Sequence, residues 1–324
     1  MSLRPSSDEQ FAASVAGSLP GVVELRDDTW AIAIPLPVAA PPYTLTYVLT
    51  DAAGDLHLVD PGWDAPGNLE LLDHSLHSIG ASLERVATVT ATHMHADHLG
   101  LAERIRSASG ARVAVHSAEQ RAIDAGPDVA PNFVEWGVPP ELHEQFTALV
   151  GRARPGATAD VLLEHGQLLD IPGREVSVIH TPGHTVGHLS LWEPAQELLF
   201  TGDLLLPTIF PGIGLGGASP DPIADYLASL DAIEALGDPE VCPGHGYGFH
   251  GLGERCAVTR AHQLGRTHEV DQIVAAHPEA TVWEVASHVT WTGGWAGLHG
   301  LHLASALSQT AMRMRHVSGA RLEP

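Results

Sequence analysis

Between Thr92 and His98 the chain reads Thr-His-Met-His-Ala-Asp-His, at the end of a segment patterned as a strand. In extended backbone, residues two apart share a face, so His93 and His95 can grip one ion while the following turn presents Asp97 and His98 to a second. Imidazole nitrogens joined by carboxylate oxygens make a zinc donor set, with bonds of about 2.0–2.2 Å, and manganese or iron is compatible with it. Three further strand ends carry donors: Thr181-Pro182-Gly183-His184, Thr201-Gly202-Asp203 and Pro243-Gly244-His245-Gly246. In each, glycine permits the tight turn that brings a donor to the strand edge. Two ions roughly 3.5–4 Å apart would share a water whose pKa falls toward ~7, which gives a bridging hydroxide nucleophile at neutral pH. Asp97 is the residue expected to act catalytically, orienting that hydroxide and carrying a proton afterwards.

Such donors need strands to hold them. Val22 to Leu25, Thr29 to Pro35, Tyr43 to Thr50 and Asp55 to Val59 are short, apolar and β-branched, and turn formers separate them. Leu69, Leu72, Leu76 and Ile79 repeat at helical spacing. A strand from Arg85 runs into Thr92, a helix is expected over Leu99 to Ser107, a strand over Ala111 to His116, and another helix from Ser117. Residues 125–158 break the rhythm with five prolines around a helical piece near Glu141 to Val150, and are expected to form a lid-like insertion. Strands resume at Val161 to Leu163, Glu175 to His180, His188 to Trp192 and Glu197 to Thr201. A helix capped by Asp221 with Pro222 in its first turn precedes a last strand at Glu240 to Cys242. Beyond residue 255 only helices are expected: Cys256 to Ala276, Thr281 to Thr290 with a Thr281/Glu284 capping box, and His299 to Val317. The scattered histidines, including His57, His74, His77, His143, His262 and His268, read as surface or core residues, and His180 and His188 as buried strand residues.

The ordered donor set resembles the metallo-β-lactamase superfamily over roughly residues 20–250. The resemblance implies an α/β (α+β) fold of the αββα type, two facing mixed sheets with helices outside. It implies that His93, His95 and His184 hold one metal, that Asp97, His98 and His245 hold the other, and that Asp203 bridges them. Asp60, ending a strand, matches the aspartate that orients the histidine loop. The histidine at 95, where related flavodiiron proteins carry glutamate, argues for hydrolysis rather than oxygen reduction. The stretch from Asp203 through Gly214, followed by Asp221, Tyr226, Leu227, Ser229, Leu230 and a helical tail, resembles the β-lactamase-like protein 2 branch, which carries a C-terminal winged-helix-type domain. The expected division is a catalytic domain over 1–250 and a small all-helical domain over 251–324. A full β-wing is not expected, and the tail reads as a packing module.

Composition bears on partners. Acidic residues outnumber basic ones by 39 to 16, and every basic residue is an arginine. Such a chain repels a polyanion unless its arginines cluster, so nucleic acid is not the expected partner. Two cysteines, Cys242 and Cys256, are too few for a disulfide framework. No apolar run approaches membrane-spanning length, and a cytoplasmic protein is expected, for which a homodimer is compatible. The expected function is hydrolysis of an ester, thioester or lactone in a small acyl compound, with Phe133, Trp136, Ile209 and Phe210 as apolar substrate-lining residues. Leu206 stands where quorum-lactone hydrolases place tyrosine. Glyoxalase II enzymes use basic residues in their helical domain, for which Arg255, Arg260 and Arg266 are available. The alternative is a metal-dependent endoribonuclease or phosphodiesterase, for which Arg313, Arg315 and Arg321 near the end are the one supporting feature.

Overall fold

The computed structural model describes residues 3–38, 41–126, 133–152 and 157–320. Two sheets face each other. The first holds β2 (Val23–Arg26), β3 (Thr29–Pro35), β4 (Tyr43–Thr50), β5 (Leu56–Val59), β6 (Val86–Thr90), β7 (Arg112–His116) and β8 (Val161–Leu163), side by side in that order. The second runs β1 (Arg4–Pro5), β13 (Phe249–His250), β12 (Glu240–Pro243), β11 (Leu198–Gly202), β10 (Leu189–Glu193), β9 (Ser177–His180). Flanking helices are α1 (Asp8–Ala16), α2 (Asn68–Ser78), α3 (Ala96–Leu99), α4 (Ala102–Ser109), α5 (Ser117–Ala125), α6 (Pro140–Arg152) and α7 (Pro222–Glu234). The tail is α8 (Leu252–Ala276), α9 (Val282–His288) and α10 (Gly300–Ala320).

Alternation along each strand divides its side chains between two cores. Ala31, Ala33, Leu45, Tyr47 and Leu49 point between the sheets, where they meet Val178, Leu191, Leu198, Phe200 and Cys242. Ile32, Ile34 and Val48 point outward, under Leu72, Leu76 and Ile105 of α2 and α4. On the far side Leu199 and Val241 lie beneath Ile223, Tyr226, Leu230 and Ile233 of α7. Because both faces are covered, strands such as β4 are buried almost throughout.

This layering leaves one open edge, onto which the C-terminal ends of β5, β6, β9, β11 and β12 deliver Asp60, the His93 loop, the His184 loop, Asp203 and His245. The helix expected from Leu99 begins at Ala102 as α4, while Leu99 closes the single turn of α3 that presents Asp97 and His98. Helical geometry separates their side chains by about 100°. Three elements lie outside the expected set: α1, capped by Ser7 and ended by Gly17 at φ 64°, and the short edge strands β1 and β13 that pair with each other.

Among the described residues no strand follows β13. The capping box at Thr281 and Glu284 is formed in both directions. Helix α8 spans two environments, with Leu252 and Cys256 packed beside α7, and Val270 and Val274 packed against α9. Residues 127–132 and 153–156 of the insertion, and Arg321, lie outside the described residues.

Candidate metal centre

Five imidazoles converge at the open edge, each with one nitrogen turned outward onto an acceptor. His95 Nε2 donates to the Leu215 carbonyl at 3.1 Å, His184 Nδ1 to the Gly212 carbonyl at 2.7 Å, and His245 Nδ1 to the Tyr43 carbonyl at 2.8 Å. His98 Nδ1 donates to Asp60 Oδ2 at 2.8 Å, and His93 Nδ1 to Thr92 Oγ1 at 3.0 Å, whose hydroxyl donates in turn to Asp60 Oδ2. These partners assign the outward nitrogen of each ring as the proton donor, which leaves the inward nitrogen as the position that takes a cation or, on His98 and His245 of the metal-free chain, a second proton.

The inward nitrogens stand close together. His93 Nε2 is 2.9 Å from His95 Nδ1, which is 3.1 Å from His184 Nε2, and His98 Nε2 is 3.4 Å from His245 Nε2. Donors around a tetrahedral zinc with bonds of 2.0–2.1 Å sit about 3.3 Å apart, so these spacings fit a cation surrounded by lone pairs. Asp203 reaches both groups, with Oδ2 3.7 Å from His184 Nε2 and Oδ1 3.4 Å from His245 Nε2 and 3.5 Å from His98 Nε2. Its Oδ1 is buried with no hydrogen-bond partner among the described residues, a costly state that a cation relieves. Asp97 Oδ2 lies 3.4 Å from His245 Nε2. His93, His95 and His184 form one potential metal-holding group, Asp97, His98 and His245 another, and His93, His98 and Asp203 a third that joins them.

Charge distinguishes the two groups. Burial and neighbouring imidazoles lower His93 well below its usual range and His184 to about 4, so both stay neutral donors. Burial opposes a charged His98, but Asp60, Asp97 and Asp203 overcome it and raise the group to about 9. Asp203 is held well below the usual carboxylate range against burial by His245 and His98. The Asp97–His98–His245 side thus has a strongly anionic field.

Residues 40–245 match the Metallo-beta-lactamase superfamily, a span holding all seven donors. The chain belongs to that superfamily. It is 30% identical over 134 residues, 41% of its length and 43% of the relative's, to a beta-lactamase-like protein 2 homolog of Caenorhabditis elegans. It is 30% identical over 164 residues, 50% of its length and 49% of the relative's, to a hydroxyacylglutathione hydrolase of Cereibacter sphaeroides. The chain therefore spans under half the length of these two relatives. A metallo-β-lactamase family protein from Thermus thermophilus shares the fold with a TM-score of 0.77 at 24% identity, over 92% of this chain and 95% of the other.

Within this metallo-β-lactamase framework, residues outside the donor set fix its shape. Asp60 accepts from the Thr92 N–H at 2.7 Å as well as from His98, joining the strand end to α3. Gly244 is required by close approach, since a Cβ there would lie 2.7 Å from His98 Cε1 and 2.8 Å from Asp203 Oδ1. His188 holds Asp203 from behind: its Nε2 accepts from the Asp203 N–H at 3.2 Å, and its Nδ1 donates to Thr181 Oγ1. Glu119 on α5, fully buried, is a positioning candidate that no local pattern signalled. His180 lies stacked on His116 with ring centroids 3.9 Å apart, outside the donor groups.

The four residues expected to line a substrate channel are placed variously. Phe133 and Trp136 pack into a cluster with Phe146, Val282, Leu303 and Leu307, so the insertion is seated on α9 and α10. Phe210 stacks on His262 at 3.8 Å beneath the Arg255 guanidinium, against α8. Ile209 is 43% exposed. The arginines considered for anion binding are engaged: Arg255 donates to the Leu206 and Ile209 carbonyls, Arg260 pairs with Asp231 and Glu234, and Arg266 with Glu269. Arg313 is buried and donates to Gln263 Oε1, whereas Arg315 is exposed. No helix among the described residues is long and apolar enough to cross a membrane.

Proposed function

We propose that the chain is a dinuclear metal-dependent hydrolase, with zinc in both sites, that cleaves a thioester, ester or lactone of a small acyl compound. The observation that carries this reading is the set of five imidazoles with outward protons satisfied and inward lone pairs facing one another, spanned by Asp203. His93, His95 and His184 would hold one ion and Asp97, His98 and His245 the other, with Asp203 within reach of both donor groups. When bound, such a pair activates a water nucleophile and polarises the carbonyl under attack.

The chain's own groups do the rest. Asp97, whose side chain is more open than that of Asp203, accepts the proton released by the attacking water at its carboxylate and returns it to the leaving group. Burial of His93, His98, His184 and His245 keeps bulk water from competing for the donors. Ile209, in the first half of the loop that starts at Asp203, offers apolar surface to an acyl chain.

Thioesters stand first because a similar protein is named hydroxyacylglutathione hydrolase. A phosphodiester is the second reading, and the engagement of Arg255, Arg260, Arg266 and Arg313 within the fold weighs against it. The deciding experiment compares kcat/KM for acyl thioesters, aryl esters and lactones with cleavage of single-stranded RNA at low salt, using zinc-loaded protein. A thioester or other acyl substrate is expected to lead. RNA cleavage faster than every acyl substrate, and abolished by His95→Ala, would reassign the chain as a nuclease.

A further inference from the structure

Glu119 lies in the first turn of α5, and its side chain enters the space behind two of the donor loops. Its Oε1 accepts from the Met94 N–H at 2.7 Å, and its Oε2 accepts from the Gly187 N–H at 2.7 Å. Met94 stands between His93 and His95. Gly187 closes the loop that begins at His184, and is pressed so near that a Cβ there would lie 2.1 Å from the Glu119 nitrogen. One carboxylate therefore clasps, through one oxygen each, the two loops that supply His93, His95 and His184. Among the described residues Asp97, His98 and His245 share no hydrogen bond with it, their partners being others.

We propose that Glu119 is a positioning residue for the ion held by His93, His95 and His184, setting the separation of the two loops, and that it does not act on the ion held by Asp97, His98 and His245. This rests on the dinuclear reading above. The physical reason lies in the acceptor pair: a carboxylate offers two oxygens to two converging N–H groups, and although burial pushes Glu119 up to about 7, the Met94 and Gly187 N–H groups both favour its ionised form, whose bonds are short and strong. Glutamine matches the shape but puts an NH2 where one oxygen was, so a donor faces either Met94 or Gly187. The strap then holds one loop and releases the other. Aspartate keeps both oxygens on an arm one methylene too short to reach both loops.

The test is a zinc titration of the full chain against a competing chromophoric chelator, with circular dichroism to verify folding. Wild-type protein is expected to take up two equivalents. In Glu119→Gln one equivalent should weaken about 10–100-fold, the usual effect of losing a group that orients a metal ligand, with the other unchanged. Glu119→Gln combined with His184→Ala should lose no more than His184→Ala alone, whereas combined with His245→Ala it should bind neither equivalent tightly. Glu119→Asp carries the same expectation and decides the matter if the glutamine variant does not fold. Retention of both equivalents at wild-type affinity, or equal weakening of both, would overturn the assignment. Wild-type protein that takes up fewer than two equivalents would instead overturn the dinuclear reading, and this assignment with it.

Discussion

Asp60 accepts a hydrogen bond from His98 Nδ1 at 2.8 Å while the same carboxylate takes the Thr92 N–H and hydroxyl, so one side chain fixes the end of β6 and the first turn of α3. It does so from a left-handed backbone, at φ 53°, which aspartate and asparagine tolerate better than most residues. Asp60→Asn keeps that tolerance and removes one acceptor. Metal affinity should fall about 10–100-fold with little change in the fold. Chelator competition that finds unchanged affinity would show that His98 does not depend on Asp60.

Removal of metal should expose a pH dependence of stability. In the metal-free chain the anionic surroundings raise His98 to about 9 from 6.5, and Asp203 and Asp97 overcome burial to raise His245 well above its usual value. A group whose folded pKa is raised stabilises the fold fully below its unfolded pKa, and that contribution is lost as pH rises through the folded pKa. The Tm of chelated protein should therefore fall between about pH 7 and pH 9, while zinc occupying the same lone pairs should remove the slope. A chelated protein whose Tm is flat or rises over that window would contradict the charge arrangement.

The tail also touches the centre through a buried polar chain. Arg313 on α10 donates to Gln263 Oε1 on α8, and Gln263 Nε2 donates to the Pro211 carbonyl at 3.1 Å. The next carbonyl, of Gly212, orients His184, and that of Leu215 orients His95. Burial lowers Arg313 only to about 10, so it is charged at neutral pH, with Gln263 as its short acceptor and the Gln309 carbonyl, at 3.4 Å, as a longer one. Gln263→Ala should cost about 1.5–3 kcal/mol in urea unfolding by stripping a charged donor of its shorter acceptor and leaving only the Gln309 carbonyl. A cost below roughly 0.5 kcal/mol, the scale of a surface substitution, would mean that this polar chain does not stabilise the fold.

Much of this was readable from residue order. The strand ends at His93, His184, Asp203 and His245 announce themselves because each donor follows an apolar, β-branched run, and at the last three a glycine immediately precedes the donor, a pattern local enough to survive without coordinates. The β3 and β4 boundaries follow from alternation and were anticipated to the residue. Glu119 was not legible: in sequence it is an ordinary acidic residue in a helix's first turn, and only the tertiary approach of Met94 and Gly187 gives it two donors. His188 was legible as a buried strand residue but not as the acceptor for the Asp203 backbone, which follows the neighbouring hairpin strand. Strands β1 and β13, two residues each, are too short to show alternation. The apolarity of Phe210 is visible in sequence and suggests a channel wall, whereas its stacking on His262 depends on where α8 passes.

The proposed two-ion centre can be tested by counting ions. Full-length protein reconstituted with zinc, dialysed free of excess metal and measured by elemental analysis against protein concentration should hold about two zinc ions per chain, as expected of a bridged two-metal site. Asp203→Ala should hold fewer than either His184→Ala or His245→Ala, because only Asp203 lies within reach of both donor groups. A wild-type value of one ion or none, or equal metal retention by the three variants, would contradict a centre bridged by Asp203.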